Sequence, residues 1–167
     1  MTLHAHQSAA TRRNPLDLIE QIVTEHEWPF DRQGDDELTV GIGGKWCDYQ
    51  LWFSWREEVG ALHFSCAFDM KVPETRRRDL HTLLVLLNEK LWIGHFDLWT
   101  DEGLLVFRQA LLLRGGLGPT SEQIEDLVEI GLSECERFYP AFQFAVWGGK
   151  NPKEAIEAAM LETVGEA

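Results

Sequence analysis

Histidine and cysteine side chains are the groups in this chain that could serve catalysis or metal binding. His63 and His95 lie in segments with strand-like patterns. If the protein is an enzyme, its active site is expected in a pocket near one of these two histidines. Cys66 is close to His63 in the sequence, but the two side chains point to opposite faces of one strand and so do not pair. No phosphate-binding loop, G-x-S-x-G, H-E-x-x-H or dinucleotide fingerprint occurs. The sequence therefore predicts no catalytic residue and no cofactor.

The spacing of the other candidate ligands does not suit a metal. His4 and His6 have no third ligand beside them, and Cys47, Cys66 and Cys135 show no C-x-x-C spacing. An odd number of cysteines without a disulfide framework is typical of a reducing compartment. The N-terminus has no apolar signal region, and no stretch approaches the roughly 20 apolar residues of a membrane span. We therefore expect no metal site, and residence in the cytoplasm.

The charge of the chain disfavours two classes of partner. Lys and Arg number 15 against 28 Asp and Glu, which gives a net charge of −13. Binding to nucleic acid or to an anionic membrane requires clustered positive charge, so neither partner is expected. The same charge is compatible with simple solubility, or with a basic or amphipathic protein partner.

Tryptophan is the residue type that points most directly to a binding surface, and the chain has seven. Residues 45–56 alternate with period two, which predicts a strand with Trp46 and Trp52 on its outward, mostly polar face. Trp99 and His95 lie on the less apolar face of a later hairpin. If these four candidate partner-binding side chains are exposed, they form a patch typical of an interface. The alternative is that the monomer or a second subunit covers that face.

Two hairpins must position those side chains. Residues 61–69 alternate like residues 45–56, and their apolar sets match when Tyr49 faces either Phe68 or Met70. In the second hairpin, a two-residue turn at Glu102 and Gly103 suits the positive φ that such turns favour. That turn makes Asp101 face Leu104, and the same register places Asp97 directly opposite Arg108 as an ion pair.

Caps and apolar spacing predict the helices. Helix starts are indicated at Asn14, Pro73, Thr120 and Asn151. Pro140 is expected to kink or end the third helix. Residues 1–13 are expected to form a flexible tail. Residues 14–167 are expected to form a single α+β domain, with helices packed on an antiparallel sheet of five to six strands.

Three runs of the sequence resemble the YbjN family of bacterial proteins. They are WCDYQLWFSWREE, LWIGHFDLWTDEGLLVFRQALLLRGG and ERFYPAFQFAVWGGKNPKEAIEAAMLETVGEA. The resemblance covers residues 14–167 and rests on hydrophobic, structural positions. It implies a fold similar to that of type III secretion chaperones, which are small acidic dimers with α-β-β-β-α-β-β-α order. The final helix after residue 149 goes beyond that plan.

The resemblance also implies a class of function, because the family is described as bacterial sensory transduction regulators. We therefore expect a non-enzymatic, protein-binding or chaperone-like regulator of bacterial signalling or stress response. It is expected to engage an unknown protein partner through an apolar sheet or helix surface, and to be a homodimer. The alternative is an enzyme with an unrecognised pocket near His63 or His95.

Overall fold

A computed structural model describes residues 13–164, and the side chains of this range as far as residue 161. The chain is of the α+β class, with six strands and four α-helices in the order that the sequence predicts. A short 3₁₀ turn, Glu74–Arg76, leads into the second helix. The helices are α1 (Pro15–Glu25), α2 (Arg77–Asn88), α3 (Ser121–Val146) and α4 (Pro152–Val164). The strands are β1 (Phe30–Gln33), β2 (Glu37–Gly43), β3 (Asp48–Arg56), β4 (Ala61–Lys71), β5 (His95–Trp99) and β6 (Leu104–Leu112).

Residues 1–12 lie outside the described part of the chain, and with them most of the predicted tail and both His4 and His6. Within residues 13–164, no group of three or more His, Cys, Asp and Glu side chains is placed to hold a metal ion. None of the helices described there is long and apolar enough to cross a membrane.

The strands form one antiparallel sheet in the order β1-β2-β3-β4-β6-β5. β3 and β4 pair with Tyr49 opposite Phe68, which is one of the two registers expected from the alternation. β6 lies between β4 and β5, so the second hairpin is attached to the sheet through its later strand. This order decides which outward side chains can meet.

One face of the sheet carries the hydrophobic core. Phe53, Phe64 and Phe107 lie on it and are almost fully buried. α3 crosses this face so closely that a Cβ on Gly131 would lie 2.6 Å from the ring of Phe64. Phe68 and Phe96 on this face form a cluster with three aromatic residues of α3, in pairs whose ring centroids are 5.0–6.2 Å apart: Phe138, Tyr139 and Phe142.

α3 continues through Pro140, where the sequence predicted a kink or an end. Pro140 lacks the N–H that would donate to the carbonyl one turn earlier, which disfavours a helix interior. The helix nevertheless runs to Val146 because both of its halves bury apolar side chains. Phe138 lies before Pro140 and Phe142 after it, and both are essentially fully buried against the same aromatic cluster. Tertiary packing therefore outweighs the lost hydrogen bond.

The turn of the second hairpin differs from the prediction. β5 and β6 pair with Trp99 opposite Leu104, so the turn has four residues rather than two. The Gly103 N–H donates to the Trp99 carbonyl at 2.8 Å, and the Gly103 carbonyl accepts from Val72 N–H at 2.9 Å. The second bond comes from Val72, the residue that follows β4, so it is a tertiary contact that cannot be predicted from local turn preferences.

The register consequently moves by two residues, which leaves every side chain on its predicted face. Asp97 now lies opposite Val106, and His95 lies opposite Arg108. The predicted ion pair still forms, diagonally: Arg108 Nη1 and Asp97 Oδ2 are 3.0 Å apart. The expected direct opposition of Asp97 and Arg108 is therefore wrong, and the expected contact between them is confirmed.

The outer edge of β5 is covered by a side chain of α2. Asn88 Nδ2 donates to the Phe96 carbonyl at 3.0 Å, and Asn88 Oδ1 accepts from the Phe96 N–H at 2.8 Å. The Leu98 N–H is bonded to the carboxylate of Asp97. These bonds occupy backbone groups with which another strand could otherwise pair. β5 is therefore disfavoured as a site for adding a strand from a partner.

Candidate functional site

The face of the sheet opposite the core carries no helix of the described part of the chain, and we call it the open face. It is defined by outward side chains of the four strands β3, β4, β6 and β5. The helices instead pack on the core face or beside β5. Along each strand the side chains alternate between the two faces. The central members of the open face are Trp52, Ser54, His63, Ser65, Arg108 and Trp99.

Trp52 and Trp99 stack on each other across this face. Their ring centroids are 5.2 Å apart and the ring planes differ by 21°. Trp52 belongs to β3 and Trp99 to β5, and the two intervening strands separate their backbones by about 14 Å at ordinary strand spacing. The two side chains therefore reach across the middle strands to meet. Small side chains of the middle strands, including Ser65, are buried on this side.

Beside the tryptophan pair lies an open cleft of about 700 Å³. Its floor consists of short side chains of β4 and β6, namely Ala61, Ser65 and Ala110. Short side chains at these outward positions leave room that long ones would fill. Its walls are formed by the remaining lining residues: Glu37, Trp52, Ser54, Arg56, Val59, His63, Trp99 and Arg108. The volume is in the range of sites that hold small molecules or the side chains of a peptide.

A line of polar contacts crosses the cleft. Arg108 Nε donates to His63 Nε2 over 3.3 Å, while Arg108 Nη1 contacts Asp97. Because a guanidinium has no acceptor, His63 Nε2 must be the unprotonated ring nitrogen. Its other nitrogen, Nδ1, then carries the proton and donates to Ser65 Oγ over 3.4 Å.

This direction of the hydrogen bonds bears on the possibility of an enzyme. A general base must take the proton of its nucleophile, but His63 Nδ1 already holds one and points it at Ser65. Ser65 is also only 1% exposed, so a substrate does not reach it. The carboxylate of Asp97 contacts Arg108 rather than His63. The cleft thus holds a histidine and a serine without arranging them as a catalytic pair.

Burial lowers the pKa of His63 below its ordinary value of 6.5, and the positive charge of Arg108 lowers it further. The unfolded chain therefore binds more protons than the folded chain just below pH 6.5, so stability falls as the pH falls through that value. We expect the free energy of unfolding to decrease between pH 7.5 and pH 5.5. The decrease should be smaller in the His63→Gln variant, as measured by urea denaturation. An equal decrease in both proteins would contradict the assignment.

Of the three candidate tryptophans, Trp46 lies outside this face. β3 begins at Asp48, so Trp46 belongs to the preceding turn, where the alternation of the strand does not apply. Its ring stacks on Tyr139 of α3 with the centroids 5.9 Å apart, and Lys45 Nζ lies 5.0 Å from the ring centroid. The expectation that Trp46 shares an outward face with Trp52 is therefore wrong. Trp46, which is 39% exposed, lies on the helical side.

His95 is exposed at the margin of the open face, directly opposite Arg108 in the register of β5 and β6. The structure thus brings together Trp52 and Trp99, places His95 nearby and separates Trp46 from them. Arg56 and Arg108 also line the cleft, although neither was predicted as a site residue from the sequence. The cleft could have been predicted from the short side chains at outward positions of residues 61–69.

The cysteines lie away from the cleft, and all three are free thiols. Cys66 and Cys135 are fully buried on the core side. Burial raises the pKa of the Cys135 thiol, and the neighbouring Cys66 thiol raises it further. Burial likewise raises the pKa of Cys47. The thiols of Cys135 and Cys47 are therefore held in the protonated, poorly nucleophilic form.

Two comparisons relate the chain to known proteins. The YbjN family model, described as "Putative bacterial sensory transduction regulator", matches residues 15–144. A similar solved structure is the "Crystal structure of YbjN, a putative transcription regulator from E. coli". It has a TM-score of 0.53 and 18% identity over 71% of this chain and 84% of that chain, a likeness of fold alone. No curated protein matches. Because the family model covers most of the sequence, this chain belongs to the YbjN family.

Proposed function

We propose that this chain is a regulator that acts by binding another protein across the open face, without a catalytic step. The observation that carries the proposal is the stacked pair of Trp52 and Trp99 beside an open cleft. Tryptophan and arginine side chains line this cleft, and both residue types are enriched among the residues that contribute most to protein–protein binding. The family description as a signalling regulator agrees with a role of this kind.

The chemistry of the cleft suggests which groups a partner would present. The tryptophan pair offers flat apolar surface, whereas Arg56 and Arg108 offer hydrogen-bond donors in a chain whose net charge is −13. A partner segment with apolar side chains and with carboxylate or carbonyl acceptors would match both. Such a segment would lie against the side chains of the open face rather than extend the sheet at β5, where Asn88 already bonds the edge.

Regulation through a protein fits the charge better than direct contact with DNA. The E. coli protein of similar fold is described as "a putative transcription regulator", a role that can be exercised on DNA or on another protein. Phosphate contacts require clustered Lys and Arg, and here acidic residues outnumber basic ones by 28 to 15. We therefore propose that neither nucleic acid nor an anionic membrane binds this chain directly, and that its place of action is the cytoplasm.

We also propose that the chain acts as a homodimer. A surface for a second copy is offered at the turn between α2 and β5, where Trp92 is fully exposed and Ile93 is partly exposed. Exposed apolar side chains in adjacent positions are typical of an interface. Light scattering on the purified protein should give twice the mass of one chain, and Trp92→Ser should lower it. A wild-type protein of single-chain mass at micromolar concentration would contradict this proposal.

The proposed partner site predicts a large loss of binding when the tryptophan pair is removed. In a pull-down from lysate of the native host, Trp52→Ala and Trp99→Ala should each weaken capture by about 2 kcal/mol, which is roughly thirty-fold. Trp147→Ala is the matched control, because Trp147 is exposed at the end of α3, on the helical side. Circular dichroism should show that all three variants fold. Equal capture by the open-face variants and the wild type would overturn the proposal.

A further inference from the structure

A second surface lies on the helical side of the molecule, between α1 and α3. A groove of about 460 Å³ lies between the two helices. One wall is formed by Ile22 of α1 together with His26 and Trp28, which follow it in the chain. The other wall is formed by Ile124, Val128 and Leu132, which recur at intervals of four residues along α3. The lining is therefore an apolar strip that runs along the axis of a helix.

The rim of this groove is acidic. Glu125 and Glu129 lie on α3 one turn apart, both are exposed, and both line the groove. Within residues 13–164 neither carboxylate takes part in an ion pair. From Ser121 to Glu136 α3 contains no Lys or Arg, so no positive charge on this stretch of helix neutralises the rim.

We propose that this groove binds a basic amphipathic helix of a partner protein, at a site separate from the open face. An amphipathic helix docks by laying apolar residues spaced three and four apart into such a groove. Lys or Arg side chains spaced four apart beside its apolar stripe would meet Glu125 and Glu129, which have the same spacing. The lining residues of α3 run from Ile124 to Ser133, about 15 Å along the helix axis, which is room for nearly three turns of the docked helix.

Charge argues against a second copy of this chain as the occupant. None of the helices in the described part of the chain carries two Lys or Arg residues spaced four apart, so a second copy offers no helix whose charges match the acidic rim. A basic helix gains from the field of this rim, which also raises its rate of association at low salt.

A designed peptide tests the groove directly. The probe is a fluorescein-labelled 18-residue helix of Leu and Lys with one apolar face, and its binding to the full chain is measured by fluorescence anisotropy in 50 mM and 300 mM NaCl. We expect saturable binding that weakens at the higher salt concentration. A peptide with the same composition in scrambled order, which has no apolar face, should bind about tenfold more weakly.

Two double variants with the same change in charge separate the groove from the field of the whole protein. The first double variant, Glu125→Lys with Glu129→Lys, should weaken binding of the probe about tenfold more than the second, Glu122→Lys with Asp126→Lys. The residues of the second variant also lie on α3, but they do not line the groove. Leu132→Ser should also weaken binding. Equal losses in the two double variants, or no saturable binding of the probe by the wild type, would overturn the proposal.

The test also distinguishes this site from the open face. Trp52→Ala should leave the binding of the probe unchanged, since Trp52 lies on the opposite side of the sheet. If Trp52→Ala loses binding of the probe while the double variant Glu125→Lys, Glu129→Lys retains it, the peptide binds to the open face. That result would contradict the proposed binding in the groove. A lack of probe binding at the groove would not contradict the proposed function of the open face.

Discussion

Phe96→Ala is expected to lower the free energy of unfolding by about 3–5 kcal/mol, the range for removing a buried aromatic ring. Phe96 is 1% exposed, and its ring lies 5.0–6.2 Å from those of Phe68, Phe107, Phe138 and Phe142. The removed ring leaves a cavity that rigid neighbours from β4, β6 and α3 do not close, so the lost contacts add to the lost transfer energy. Urea denaturation followed by circular dichroism measures the change.

A matched control for Phe96→Ala is Leu112→Ala on the adjacent strand. Leu112 is a large apolar residue of β6 that is 81% exposed, so its truncation should change stability by less than about 0.5 kcal/mol. A change below about 1 kcal/mol for Phe96→Ala would show that the aromatic cluster does not anchor β5. Because β5 carries Trp99, that result would also weaken the structural basis of the open face.

Gly94→Ala is expected to destabilise the protein by about 3 kcal/mol, from two independent causes. Gly94 has φ +71°, a left-handed conformation that costs other residues about 1–2 kcal/mol. A Cβ at this position would in addition clash with the ring of Phe107 and lie 2.8 Å from the backbone carbonyl oxygen of Arg108. Crowding of this kind adds about 1–3 kcal/mol, because a carbonyl in a strand cannot move without disturbing the ladder.

Gly115→Ala separates these two causes. Gly115 also has a left-handed conformation, with φ +88°, but a Cβ there would meet no atom within 4 Å. Its substitution should therefore cost only the conformational part, about 1–2 kcal/mol. Thermal or urea denaturation of both variants gives the comparison. Equal losses would mean that the close approach of Gly94 to β6 does not hold β5 in place.

The faces of the second hairpin could be predicted from sequence, but its register could not. Alternation alone places Phe96 and Phe107 on the core side, because side chains of a strand have a period of two. The register depends on the turn, and the turn is fixed by the bond from Val72 N–H to the Gly103 carbonyl. Val72 is distant in the sequence, so no local pattern contains this contact. The predicted register differs from the observed one by two residues. Because two is an even number, the side chains stay on their predicted faces.

The tryptophans of the site were predicted in part for the same reason. Trp52 and Trp99 occupy outward positions that alternation identifies, whereas their stacking depends on the order β3-β4-β6-β5, which no local pattern specifies. Trp46 was misplaced because the predicted strand began three residues too early. The contact between His63 and Arg108 likewise requires that β4 and β6 be neighbours.

The starts of α1, α3 and α4 were predictable because caps act locally, whereas α2 begins at Arg77, after the 3₁₀ turn that follows Pro73. Asn14 accepts from the Leu16 N–H at 2.9 Å, and Thr120 and Gln123 form the expected reciprocal capping box. Helix ends were less predictable, as the continuation through Pro140 shows. That continuation rests on burial against an aromatic cluster that draws on two distant strands, so it is a property of the whole fold.

Site-specific photo-crosslinking in the native host tests partner binding across the open face most directly. A photoreactive phenylalanine analogue is introduced at Ala110, on the floor of the open-face cleft, or at Val85, an exposed position on α2 away from that face. Binding across the open face predicts a discrete protein adduct from position 110 that disappears when Trp52→Ala is added, and no such adduct from position 85. Adducts from position 85 alone, or an adduct at 110 that is unchanged by Trp52→Ala, would contradict binding across the open face.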